Sequence, residues 1–205
     1  METSKKVYPV KYRKTIISPL VKLFNGEKNT NLIIALLFIL LGITFRLIPH
    51  APNFTPIAAM ALFGGVYFSK KTALVLPLLA VIISDIFLGF YEPKIMVAVY
   101  GSFLLCAILG FWLKKHKKWH TVLGSAILSA FLFFIITNFA VFAFSPWYAK
   151  TFQGLIQCYS MALPFFRNTL LGDIFYTAVF FGAYELTGVF VRKTFKAKRK
   201  NLIFT

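Results

Sequence analysis

Acidic residues are scarce in this sequence: six Asp and Glu stand against 23 Lys and Arg, and only 14% of the 205 residues carry a charge. Soluble domains hold roughly 25% charged residues, so this chain lacks the material for a fully water-facing surface. Cysteine is nearly absent too. Cys106 lies inside an apolar run and Cys158 in a long connection, so no disulfide framework is implied. Neither C-x-x-C nor H-E-x-x-H occurs, and no metal site is expected. There is no G-x-x-x-x-G-K-[ST], so no cofactor is expected and any ATP use must come from another polypeptide. No nucleophile elbow, metal triad or paired aspartate motif is present, which leaves an intramembrane enzyme using Asp85 or Asp173 without support and without expected catalytic residues.

What the chain does have is apolar residues, 59% of the total, with 25 phenylalanines among them. They fall into six runs, at 31–48, 54–69, 72–90, 94–113, 121–144 and 168–191, most of them near the ~20 residues that cross a bilayer core. The fold class expected is an all-α integral membrane protein of six transmembrane helices over 31–191. A basic cytoplasmic or interfacial arm (1–30) precedes it and a basic cytoplasmic tail (192–205) follows. The first run is longer than a signal-peptide core and no small-residue cleavage site follows it, so it reads as a first membrane helix.

The net charge of +17 would suit nucleic acid, but its distribution does not. The basic residues stand in short clusters between apolar runs, as topology determinants and lipid-headgroup contacts do, and no nucleic-acid partner is expected. With six spans and the N-terminus inside, seven basic residues of the arm, Lys70 and Lys71, "KKHKK" (114–118) and "RKTFKAKRK" (192–200) share one side. Only Lys94, Lys150 and Arg167 fall on the other. Counting the short second run as a span is what keeps "KKHKK" inside, so both termini are expected to be cytoplasmic. The long outer connection 145–167 carries Phe152, Leu155, Ile156, Tyr159 and Leu163 at helical spacing. This predicts a short amphipathic helix between the fifth and sixth spans, stopped by Pro164, that either lids a pocket or merely covers the bundle.

Three of the six acidic residues, Asp85, Asp173 and Glu185, lie inside expected spans, where each charge costs roughly 2.5–3.5 kcal/mol on insertion scales. Asp85 and Asp173 both fall about five residues below the outer face of their spans, Arg46 lies within a turn of it, and Asn138 and Tyr100 reach the same layer. His50, Asn53 and Thr55 sit just above, in the segment "RLIPHAPNFTPIAAMALFGG" (46–65). Two readings stay open. Arg46 can staple helices by pairing with Asp85 or Asp173, as a scaffolding membrane protein without a ligand would need. Alternatively Arg46, His50, Asn53, Thr55, Asp85, Tyr100, Asn138 and Asp173 line an outward-facing polar cavity for a small-molecule solute.

"PHAPNFTPIAAMALFGG" (49–65), "LPLLAVIISDIFLGFY" (76–91) and "YGSF" (100–103) resemble an uncharacterised bacterial family of membrane transport proteins. That family is similar to the substrate-binding S components of energy-coupling-factor (ECF) vitamin transporters. The resemblance implies a six-helix binding subunit in the bacterial cytoplasmic membrane. Its implied partners are the lipid bilayer, a vitamin-like solute, a transmembrane coupling subunit and cytoplasmic ATPases. S components often carry A-x-x-x-A in the first helix for docking. Here the first span offers Ala35 and Gly42, and the clean pair, Ala126/Ala130, is in the fifth.

Overall fold

A computed structural model describes residues 28–203, with side chains over 36–187. The basic arm read over 1–30 lies, up to residue 27, outside the described residues. The described chain is all-helical: α1 (Lys28–Leu47), α2 (Ile57–Tyr67), α3 (Lys70–Leu88), α4 (Pro93–Leu113), α5 (Trp119–Phe144) and α6 (Phe152–Ile203). Three of these, α3, α4 and α5, are long and apolar enough to cross a membrane, while α2 and the Leu36–Leu47 part of α1 are shorter apolar helices. Contacts separate a larger unit, Ala35–Gly182, from a smaller one that includes the residues from Ala183 onward. The candidate site lies wholly within the larger.

Local chemistry explains where these helices begin and end. Ser69 caps α3, its Oγ accepting the Thr72 N–H at 3.3 Å. Gly89 closes the same helix at φ 96°, a left-handed conformation that glycine enters without steric cost. Pro93, whose missing N–H is no loss in a first turn, opens α4. At the start of α5, the Lys118 N–H donates to Thr121 Oγ1 at 2.9 Å.

The interior of the larger unit is organised around α2. Every residue from Ile57 to Val66 is buried, although the helix has only 11 residues. It packs on α4 and α3, and Phe63 also meets Phe38 of α1 and Phe181 of α6. The α2–α4 crossing is a backbone contact: a Cβ on Gly65 would lie 2.7 Å from the Gly110 Cα and closer still to the Ala107 carbonyl oxygen. Small residues permit this approach, which in lipid replaces the hydrophobic drive between helices. Ser125, Ala126, Ser129 and Ala130, the paired small residues of α5, are all buried as well.

Polarity is arranged inside out. Ser84, Asp85, Ser102, Thr137, Asp173 and Thr177 are buried, while Phe87, Val97, Ile108, Phe131, Phe139 and Phe175 are exposed. Soluble proteins do not carry apolar surface on this scale. It suits contact with lipid.

Two sequence expectations are corrected around Pro164. Residues 152–163 are helical, but they form the first turns of the continuous α6, and Pro164 lies inside that helix instead of stopping it. Proline removes one helical N–H and crowds the carbonyl four residues earlier, a local cost that long membrane-type helices absorb. The inward face of these turns also differs from the apolar stripe. Gly154, Cys158 and Ala162 are buried, whereas Phe152, Ile156 and Leu163 are exposed. Close packing selects small residues here, and bulk apolar side chains turn outward. The Tyr159 hydroxyl donates to the Ile135 carbonyl at 2.7 Å, tying this part of α6 to α5.

Candidate functional site

The polar segment between α1 and α2 is a tight loop at one end of the bundle. The Phe54 N–H returns to the Ala51 carbonyl at 3.0 Å, and Asn53 takes φ 64°, a left-handed conformation that asparagine tolerates better than most residues. Arg46, in the last turn of α1, reaches from this loop to α3. Its Nη2 meets Asp85 Oδ1 at 2.8 Å, and its Nη1 donates to Ser84 Oγ at 2.6 Å and to the Val81 carbonyl at 3.1 Å. The Tyr100 hydroxyl of α4 donates to the other carboxylate oxygen, Asp85 Oδ2, at 2.7 Å. Asp85 is 1% exposed and has a partner on each oxygen. Three helices are thereby joined through one neutral ion pair with its hydrogen bonds made, the condition under which a buried pair is tolerated.

Beside this junction lies a cavity of about 240 Å³ lined by Arg46, His50, Asn53, Thr55 and Asp173 among others. A second cavity of about 210 Å³, lined by Asn138 and Thr137, adjoins it and shares Asn53, Tyr91, Val99, Phe133 and Thr169 with the first. Six of the eight residues expected from sequence thus face these cavities. Asp85 and Tyr100 do not, since they sit behind Arg46 and hold it. Asn138 turns its Nδ2 back to the Phe134 carbonyl at 2.7 Å, which leaves its amide oxygen as the free group. His50 Nδ1 lies 2.6 Å from the Ile48 carbonyl oxygen. A carbonyl only accepts, so Nδ1 carries the hydrogen, and Nε2 is an acceptor when the ring is neutral.

Asp173 is the exception to this pairing. It is 3% exposed, yet its Oδ2 has no hydrogen-bond partner among the described residues. Thr177 Oγ1, one turn further along the same face of α6, is also buried and unpartnered. Buried polar atoms are nearly always satisfied, and orphaned ones call for an explanation.

Several lining residues escaped the sequence reading. Tyr91, Phe103 and Phe133 form an aromatic wall, the last two with ring centroids 5.2 Å apart. Nothing distinguishes them among 25 phenylalanines and nine tyrosines. Burial, helped by the negative charge of Asp85, pushes the Tyr91 hydroxyl up to about 12, so it stays a neutral donor at ordinary pH. Thr169 lines both cavities, and a signal for it did exist: it precedes Asp173 by four residues and so shares its helix face. Arg167, one of the three basic residues expected on the outer side, is exposed and lines neither cavity.

No curated protein and no solved structure matches this chain. Over residues 26–197, which include every helix residue of the site, the chain belongs to DUF6580, a family of unknown function.

Proposed function

We propose that the chain is a membrane transport protein, the small-solute-binding subunit of an ECF-type uptake system. In this reading it crosses the bacterial cytoplasmic membrane six times, with both ends inside and the cavity open to the outside. The observation that carries it is Asp173: a buried carboxylate without a partner, at the wall of a polar cavity, in a bundle that otherwise turns apolar groups outward. Arg46, His50, Asn53, Thr55, Asn138 and Asp173 contact the solute, while Asp85 and Tyr100 position Arg46. Exposed Lys70, Lys71 and "KKHKK" cluster at the ends of helices opposite the cavity loops, which supports the inward assignment of those loops. Trp112, Trp119 and Trp147, all exposed near helix ends, suit an interfacial belt. The sequence has no ATP-binding motif, so energy comes from cytoplasmic ATPases through a transmembrane coupling subunit.

The scaffolding alternative explains Arg46, Asp85 and Tyr100 as a staple, but gives Asp173 no role. Native mass spectrometry of the chain purified from its own membranes distinguishes the two. A co-purified small molecule, lost on Asp173→Asn, is expected. Lipid adducts alone would favour the scaffold. Failure to recover ATPase subunits after mild solubilisation would remove the ECF assignment and leave a solo binding protein.

A further inference from the structure

The geometry points to an organic monocation, a solute bearing one protonated amine or quaternary ammonium group beside an apolar body, as the ligand of this cavity. The inference rests on the solute-binding reading and narrows it.

Charge balance is the first argument. Arg46 is answered by Asp85, and three of the five N–H donors of a guanidinium are engaged by Asp85, Ser84 and Val81. Arg46 therefore contributes little net positive charge to the cavity. Asp173 has no answering cation among the described residues, so it is a buried carboxyl that can ionise only when a ligand supplies the counter-charge. An anionic solute would bring a second acidic group beside it and no counter-charge. A cation supplies one.

The walls supply the second argument. Phe103 and Phe133 both line the cavity and lie against each other, with Tyr91 on the loop above. Asp173, from α6, lines the same cavity as this ring pair from α4 and α5. The acidic group and the rings therefore meet one ligand together. Aromatic faces over an acidic group form the usual receptor for alkylammonium ions, because ring quadrupoles attract the cation while the rings accept its carbon skeleton. Ala58, Leu88 and Val99 complete an apolar lining that a strongly hydrated metal ion would not need.

Three matched probes of one shape test this: phenethylammonium, phenylacetate and 2-phenylethanol, added to the detergent-purified full chain and read by thermal unfolding. Phenethylammonium should raise the unfolding temperature of the wild type by several degrees, and the other two should not. Asp173→Asn should remove that shift, and Phe103→Leu should weaken it at least tenfold in the midpoint concentration. The unliganded Asp173→Asn protein, relieved of an unpaired buried carboxylate, should unfold no earlier than the wild type, which separates loss of binding from loss of fold. Equal stabilisation by phenylacetate or phenylethanol, retention of the shift in Asp173→Asn, or no shift with any probe overturns the inference. An anionic or neutral solute found co-purified would sink it as well while leaving the transport reading intact. An empty cavity together with no probe response would sink both.

Discussion

Asp85 and Asp173 are chemically identical residues with opposite expected effects on stability. Removing the charge at Asp85 strands the guanidinium of Arg46 in a mostly buried position. Asp85→Asn should therefore cost about 3–5 kcal/mol, the range for breaking a buried pair from one side. Tyr100→Phe deletes one hydrogen bond to the same carboxylate and should cost about 1.5–3 kcal/mol. Asp173→Asn replaces a carboxyl that nothing answers with an amide of the same shape, so it should be neutral or stabilising in the absence of solute. Thermal unfolding of the three variants in one detergent checks the order, and an Asp173→Asn as damaging as Asp85→Asn would show that Asp173 has a partner. At this scale the sequence was informative where charge is expensive. Arg46, Asp85 and Asp173 stood out because a lipid-facing chain rarely keeps them. Tyr91, Phe103 and Phe133 did not, since an aromatic ring is equally at home toward lipid and toward a cavity.

Among the helices, the α2–α4 crossing is the contact with least room for change. Gly110→Val would drive a side chain into the Leu62 carbonyl and within 2.9 Å of the Gly65 Cα, so the two helices must separate. Loss of folded, monodisperse protein in size-exclusion chromatography is expected. Gly101→Ala and Gly124→Ala have open space at the Cβ position and should be tolerated, each gaining up to about 1 kcal/mol of helix propensity. Comparable losses for all three substitutions would mean that the crossing is not a backbone contact. The first turns of α6 give a second test. Cys158 is 2% exposed and Phe152 is 76% exposed, so Cys158→Asp should unfold the protein at a lower temperature than Phe152→Asp. The sequence placed these turns correctly as helix but took the inward face to be the apolar stripe, of which Leu155 and Tyr159 are half-buried while Phe152, Ile156 and Leu163 face out. In a soluble protein the apolar stripe marks the inside, whereas in a bundle surrounded by lipid the small residues do.

For the molecule as a whole, helix existence was legible because apolar runs of about 20 residues have few other uses, and α3, α4 and α5 match three of the expected spans in length and hydropathy. Topology is a separate matter, argued from basic residues at and beyond the helix ends. The expected orientation is checked by single cysteines at positions 92, 116 and 148 in a cysteine-free background. An impermeant maleimide should label positions 92 and 148 in intact cells and position 116 only after permeabilisation. Labelling of 116 in sealed cells would refute the six-span arrangement.

The neutral Arg46–Asp85 junction also decides how the membrane voltage acts on the site. Its two charges cancel, and Asp173, a buried carboxyl with no partner, stays neutral by keeping its proton until a ligand answers it. On the proposed reading, loading exchanges that proton for the solute's cation, and the site carries no net charge whether vacant or filled. A potential across the bilayer acts on a net charge with about 2.3 kcal/mol per 100 mV traversed, so it would neither drive nor resist the loaded site, and uptake would draw on energy supplied elsewhere.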